Sequence, residues 1–129
     1  MEVGAENSLL DSIEQRRLGV NQSIKQGAWA EALKLALRDA PLASTSAKAK
    51  DANAAVVASA ALAVREAELA VVVGVLDADE AEVLLKYVYR CLSTPSDKSA
   101  LWFRWHAALV ERTGPGAVVR VIAEVGRTA

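Results

Sequence analysis

The sequence predicts an all-α fold: a compact array of about six to seven short antiparallel helices, stacked in an α-solenoid-like manner. Three observations carry this. Apolar residues recur at three- and four-residue steps along nearly the whole chain. Only Leu69–Leu76 and Val118–Ile122 are β-branched enough to compete as strands, and two strands cannot satisfy a sheet's edges. Breaks at Pro41, Asp77, Pro95 and Gly114-Pro115-Gly116 cut the chain into short pieces.

The elements follow in order. Ser8–Leu18 reads as a short helix with Ser8 as N-cap and Gly19 as terminator. Residues 1–20 are thus expected to form an N-terminal arm or short helix, and residues 21–129 a single helical domain. Trp29–Arg38 carries Trp29, Leu33, Ala36 and Leu37 on one stripe, and Pro41 stops it. After a loop over Leu42–Ala47, Ala47–Val64 aligns Ala54, Val57, Ala58 and Ala61, with a break expected near Arg65. Glu66–Leu76 presents Leu69, Val72, Val73 and Leu76 at helical spacing. Asp79 is the expected cap of Glu80–Leu92, in which Glu82, Lys86 and Arg90 form a row at four-residue steps, read as solvated ion pairs. Asp97 caps a helix to about Arg112. The last helix is expected to bury Val118, Val121, Ile122 and Val125, with Arg120 and Glu124 paired outside.

Composition narrows the function. A chain of 129 residues with 53% hydrophobic and 24% charged residues can bury a core without metals or disulfides. Aromatics are only 5%, so Ala, Val and Leu must build that core. The net charge of −1 gives no basic surplus for phosphate neutralisation, and no nucleic-acid partner is expected. The single cysteine, Cys91, excludes an internal disulfide and fits a reducing compartment. The polar Met1–Asn7 start is unlike a secretion signal, and the apolar runs are too short to span a membrane.

No residue group reads as an active site. Cys91 and His106 are single residues of their kinds, and a nucleophilic pair needs an activated thiolate and an orienting third group. Cys91 among Leu84, Val88 and Leu92 reads as a small buried hydrophobe, and His106 beside Trp105 as a packed histidine making one hydrogen bond. Asp77, Asp79 and Glu80 read as capping residues, and Gly114-Pro115-Gly116 as a turn without the lysine of a phosphate loop. No metal site and no cofactor are expected. Trp102, Phe103 and Trp105 point to different sides of one helix, so at least one is expected at a protein interface. Trp105 is favoured for the core.

Four segments occur in a telling order: Lys86-Tyr87-Val88-Tyr89-Arg90, Thr94-Pro95-Ser96-Asp97, Trp105-His106 and Val119-Arg120-Val121. Upstream lie Ile24-Lys25-Gln26-Gly27 and Glu31-Ala32-Leu33-Lys34. Together they resemble the subunit 5 family of the actin-related protein 2/3 complex, over roughly Asn21 to Thr128. The resemblance implies a non-catalytic structural subunit in the cytoplasmic actin cytoskeleton, supporting filament nucleation and branching. It implies contacts with subunit 4, with the β-propeller subunit 1, and through the N-terminal extension with actin-related protein 2. That extension is a longer acidic arm in the family. Here Glu2, Glu6, Asp11 and Glu14 alternate with Arg16 and Arg17, so a shortened or differently docked arm is expected. The competing reading is a free-standing helical adaptor using its Trp102–Trp105 face. The partner-binding residues expected are Tyr87, Tyr89, Arg90, Trp102, Phe103, Arg104 and Arg120. Aromatic and arginine side chains concentrate in this half, which is expected to dock more strongly than Met1–Gly19.

Overall fold

A computed structural model describes residues 3–94 and 96–124. Seven α-helices are found there, and no strand is present among the described residues. They are α1 (Val3–Lys25), α2 (Trp29–Leu37), α3 (Ala47–Ala63), α4 (Leu69–Val75), α5 (Ala78–Leu92), α6 (Ser99–Thr113) and α7 (Pro115–Glu124). A 3₁₀ turn, Glu66–Glu68, leads into α4. The two β-rich stretches are therefore helical.

The first helix is longer than its sequence signals suggest, and it runs through the 20/21 position that divides the expected arm from the expected domain. Gly19 does not end it. A Cβ at Gly19 would lie 2.7 Å from Leu35 Cδ2, so this glycine marks the close approach of α1 to α2. The true terminator is Gly27, with φ of 72°. The Gly27 amide donates to the Ile24 carbonyl at 3.0 Å and the Ala28 amide to the Ser23 carbonyl at 2.9 Å, which satisfies two of the carbonyls a helix end leaves open. Buried Ile13, Arg16 and Val20 seat α1 on α2 and α3.

Two caps also differ from expectation. Asp77, not Asp79, caps α5: its carboxylate accepts from the Glu80 amide at 2.7 Å, and Glu80 accepts from the Asp77 amide at 2.8 Å. This reciprocal box leaves Asp79 exposed in the first turn. Asp97 makes no cap for α6, whose N-cap is Lys98. The turn is tied instead by the Ser96 hydroxyl accepting from the Lys98 amide and the Ser99 hydroxyl accepting from the Ser96 amide. Pro115 opens α7, where its missing N–H costs nothing, and Gly114 before it has φ of 84°.

The centre of the molecule is α5, which packs on α6, α7, α3 and α2. Trp105, Leu109, Leu84, Leu85, Val88, Leu33 and Val57 form the heart of the core, and the alanines of α3 admit close neighbours. Glu82, Lys86 and Arg90 are not a solvated row. Glu82 meets Arg120 and Lys86 meets Glu124, both on α7, while Arg90 meets Asp51 on α3. Arg120 and Glu124 thus reach across to α5. Of the expected α7 stripe, Val121 is buried and Val118 partly so, but Ile122 faces outward and Val125 lies outside the described residues.

Candidate protein-interaction surface

The seven residues expected to bind a partner separate into two sets. Tyr87 and Trp102 are buried, at 1% and 3% exposure, and belong to the core of this chain. Phe103, one position on, is 60% exposed. Arg104 is exposed on the same helix and pairs with Glu66 at 3.0 Å. Arg120 pairs with Glu82 at 3.1 Å on the α5–α7 seam, and Arg90 with Asp51. Tyr89 is half-buried, its hydroxyl 2.7 Å from His106 Nε2 and its ring edge-on to the imidazole at 5.1 Å. The accessible part of the set is therefore Phe103 and the arginines, carried by α5, α6 and α7.

Tyr87 has a different task. Its hydroxyl accepts from Asn53 Nδ2 at 2.8 Å, and Asn53 Oδ1 accepts from the Arg16 guanidinium at 2.9 Å. The guanidinium also donates to Ser12 Oγ at 3.0 Å. This chain ties α1, α3 and α5 together in the interior, where each bond is worth more than at the surface because water does not compete. Burial lowers the pKa of Arg16 and raises that of Tyr87. The sequence reading missed this network. Its signal was Asn53, a polar residue in register with the apolar Ala49, Val56, Val57 and Ala60.

Cys91 and His106 do not form an activated pair. Burial pushes the Cys91 thiol up, the opposite of what a nucleophilic thiolate needs. His106 is engaged with Tyr89. No cluster of three metal-binding side chains occurs among the described residues. A polar cleft of about 450 Å³ between Ser23, Glu31, Lys34, Arg38 and Glu80 lies around Lys34 and Glu80, which pair with each other at 2.9 Å. No described helix is long and apolar enough to cross a membrane.

Of the outward apolar side chains, Ile122 alone had been expected in the core, and Val71, Val75 and Val119 lie off the expected stripes. Val71 and Val75 on α4, and Val119 and Ile122 on α7, are all exposed. With Phe103 they give three neighbouring helices apolar groups that the chain itself does not cover, the mark of a contact surface.

The fold defines an all-helical domain without strands among the described residues, and the comparisons give that class a family. The family model described as ARP2/3 complex 16 kDa subunit (p16-Arc) matches residues 3–127. The chain is 32% identical over 112 residues to actin-related protein 2/3 complex subunit 5 of Dictyostelium discoideum, covering 87% of this chain and 80% of that protein. It is 31% identical over 131 residues to subunit 5A of Arabidopsis thaliana, covering 98% and 96% of the two chains. To subunit 5-B of Xenopus laevis it is 31% identical over 104 residues, 80% of this chain and 68% of the other. The chain belongs to the ARP2/3 complex 16 kDa subunit family.

Proposed function

We propose that this chain is a non-catalytic structural subunit of the actin-related protein 2/3 complex and supports actin filament nucleation and branching through protein–protein contacts. The family match over residues 3–127 carries the reading. It is supported by the large apolar side chains that the chain leaves uncovered, Phe103 on α6 and Val119 and Ile122 on α7. Its partners in the complex are subunit 4, the β-propeller subunit 1 and, by way of the N-terminal segment, actin-related protein 2. It works in the cytoplasm, on the actin cytoskeleton. Phe103, Arg104, Arg120, Arg90 and the exposed edge of Tyr89 make the partner contacts, while Tyr87 and Trp102 hold the helices that present them. Nucleotide chemistry belongs to the actin-related subunits.

Affinity purification from native extract tests this. A tagged full-length chain should bring down two actin-related proteins and a β-propeller subunit in stoichiometric yield. Recovery of the chain alone, or with an unrelated protein in fixed ratio, would establish a free-standing adaptor in its place.

A further inference from the structure

A groove lies between α4 and α6, lined by Ala70, Val73, Gly74, Ala108, Glu111 and Arg112, with a volume of about 240 Å³. The two helices run in the same direction. Arg104 pairs with Glu66 at one end, and Arg112 donates to the Leu76 carbonyl at 3.0 Å at the other. The channel between these fastenings is roughly two helical turns long.

Gly74 has no purpose within the chain. It sits in the last turn of a seven-residue helix, where glycine weakens the helix relative to alanine. Its φ is outside the left-handed region, in contrast to Gly27 and Gly114. A Cβ built on it meets nothing within 4 Å, in contrast to Gly19, which makes room for Leu35. The outer side of α4 is equally unexplained by the fold: Val71 is 63% and Val75 49% exposed. A short helix that is weakened by a glycine and also bears two uncovered valines is adapted to something outside the chain.

We propose that a helix from another subunit of the actin-related protein 2/3 complex docks along α4 and the α4–α6 groove, with Gly74 kept bare so that it can approach closely. This rests on the subunit reading above. A helix is the occupant that fits. The channel lies between two parallel-running helix ridges, into which a third helix packs its own ridge. Charge complementarity specifies its chemistry further. Arg104 and Arg112 are committed within the chain, whereas Glu111 takes part in none of the ion pairs among the described residues. Glu68 adds a second acid at the entrance to α4. The docking helix therefore presents an aliphatic stripe to Val71, Gly74 and Val75, and a lysine or arginine to Glu111.

The test uses Gly74→Ala and Gly74→Leu in the full chain, with two readouts. In the free chain, Gly74→Ala should raise the melting temperature by a few degrees, because it strengthens α4 and meets no neighbour. In cells expressing differently tagged wild-type and variant chains, Gly74→Leu should lose the competition for the purified complex by about tenfold, and Gly74→Ala by less. Amides of residues 69–76 should exchange more slowly in the complex than in the free chain. A stabilised variant that enters the complex as well as wild type, with exchange at 69–76 unchanged, overturns the proposal. So does a concentration-dependent dimer of the free chain that Gly74→Leu abolishes, since a second copy would then be the occupant. If the wild-type chain enters no such complex, the subunit reading itself has failed, a result separable from both.

Discussion

Asn53 is the residue on which the interior polar chemistry turns. It is fully buried, accepts from Arg16 and donates to Tyr87. Asn53→Ala leaves the Arg16 guanidinium with Ser12 alone and takes the donor from the buried Tyr87 hydroxyl, so each bears more of its desolvation cost. We expect a loss of about 2–4 kcal/mol in urea unfolding, against about 1–2 kcal/mol for Tyr87→Phe, which orphans only one amide hydrogen. Equal losses would show that the network contributes as packing alone. Adjacent aromatic residues separate the same way. Trp102→Ala should cost about 3–5 kcal/mol through the cavity it leaves, while Phe103→Ala should leave stability within about 0.5 kcal/mol and act only on complex assembly. Alkaline pH gives a further check. Burial raises the pKa values of Cys91, Tyr87 and Tyr89 above their ordinary values of 9.0, 10.0 and 10.0. Each group therefore binds its proton more tightly folded than unfolded. Their contribution is fully present below the ordinary values and is lost as pH rises through the folded ones. Stability from these groups should hold up to about pH 8 and decline above pH 9, with a shallower decline in Tyr87→Phe.

The helices differ in how clearly the sequence announces them. Proline and the apolar stripes are local, so α2, α3 and α5 were legible to within a residue or two, although the cap of α5 was placed at Asp79 and not at Asp77. Gly19 and Gly27 show where local reading stops. Both are glycines next to a helical pattern, yet one allows a helix to approach and the other ends a helix, and only the position of Leu35 tells them apart. Gly27→Ala should cost about 1 kcal/mol for its left-handed backbone. Gly19→Leu should cost about 1–3 kcal/mol by forcing α1 from α2, whereas Gly19→Ala should be close to neutral, its better helix propensity offset by the shift of Leu35. Thermal unfolding of the three variants distinguishes the roles. The candidate surface was half legible for a related reason. Tyr87 and Tyr89 lie on one helix about 200° apart, and Trp102 and Phe103 about 100° apart. Composition identifies such side chains as able to anchor a partner, but which of them faces inward depends on where α3 and α6 lie against α5. Ile122 of α7 misleads in the same way, since helical spacing of apolar residues marks a buried face without saying whether this chain or another buries it.

At the scale of the whole molecule, the N-terminal helix decides what a truncation would measure. An arm that docks on a partner could be removed with little effect on the rest. Here Ile13 and Arg16 lie within the first nineteen residues and are buried against α2 and α3, and Glu6 accepts from the Ser46 hydroxyl that caps α3. Removing Met1–Gly19 uncovers Asn53 and part of the α2–α3 core, and leaves α3 with a cap that has lost its acceptor. We expect the truncated chain to melt at least about 10 °C lower than the full chain, with a broadened transition, because several kcal/mol of a marginal total are withdrawn. Its entry into the complex should fall for that reason. Phe103→Ala should enter poorly while melting like the wild type, which places the loss at the docking contact. The decisive comparison is melting temperature against incorporation for the two variants side by side. A truncated chain that melts at the wild-type temperature and still fails to incorporate would move the principal contact to α1 and away from the C-terminal half.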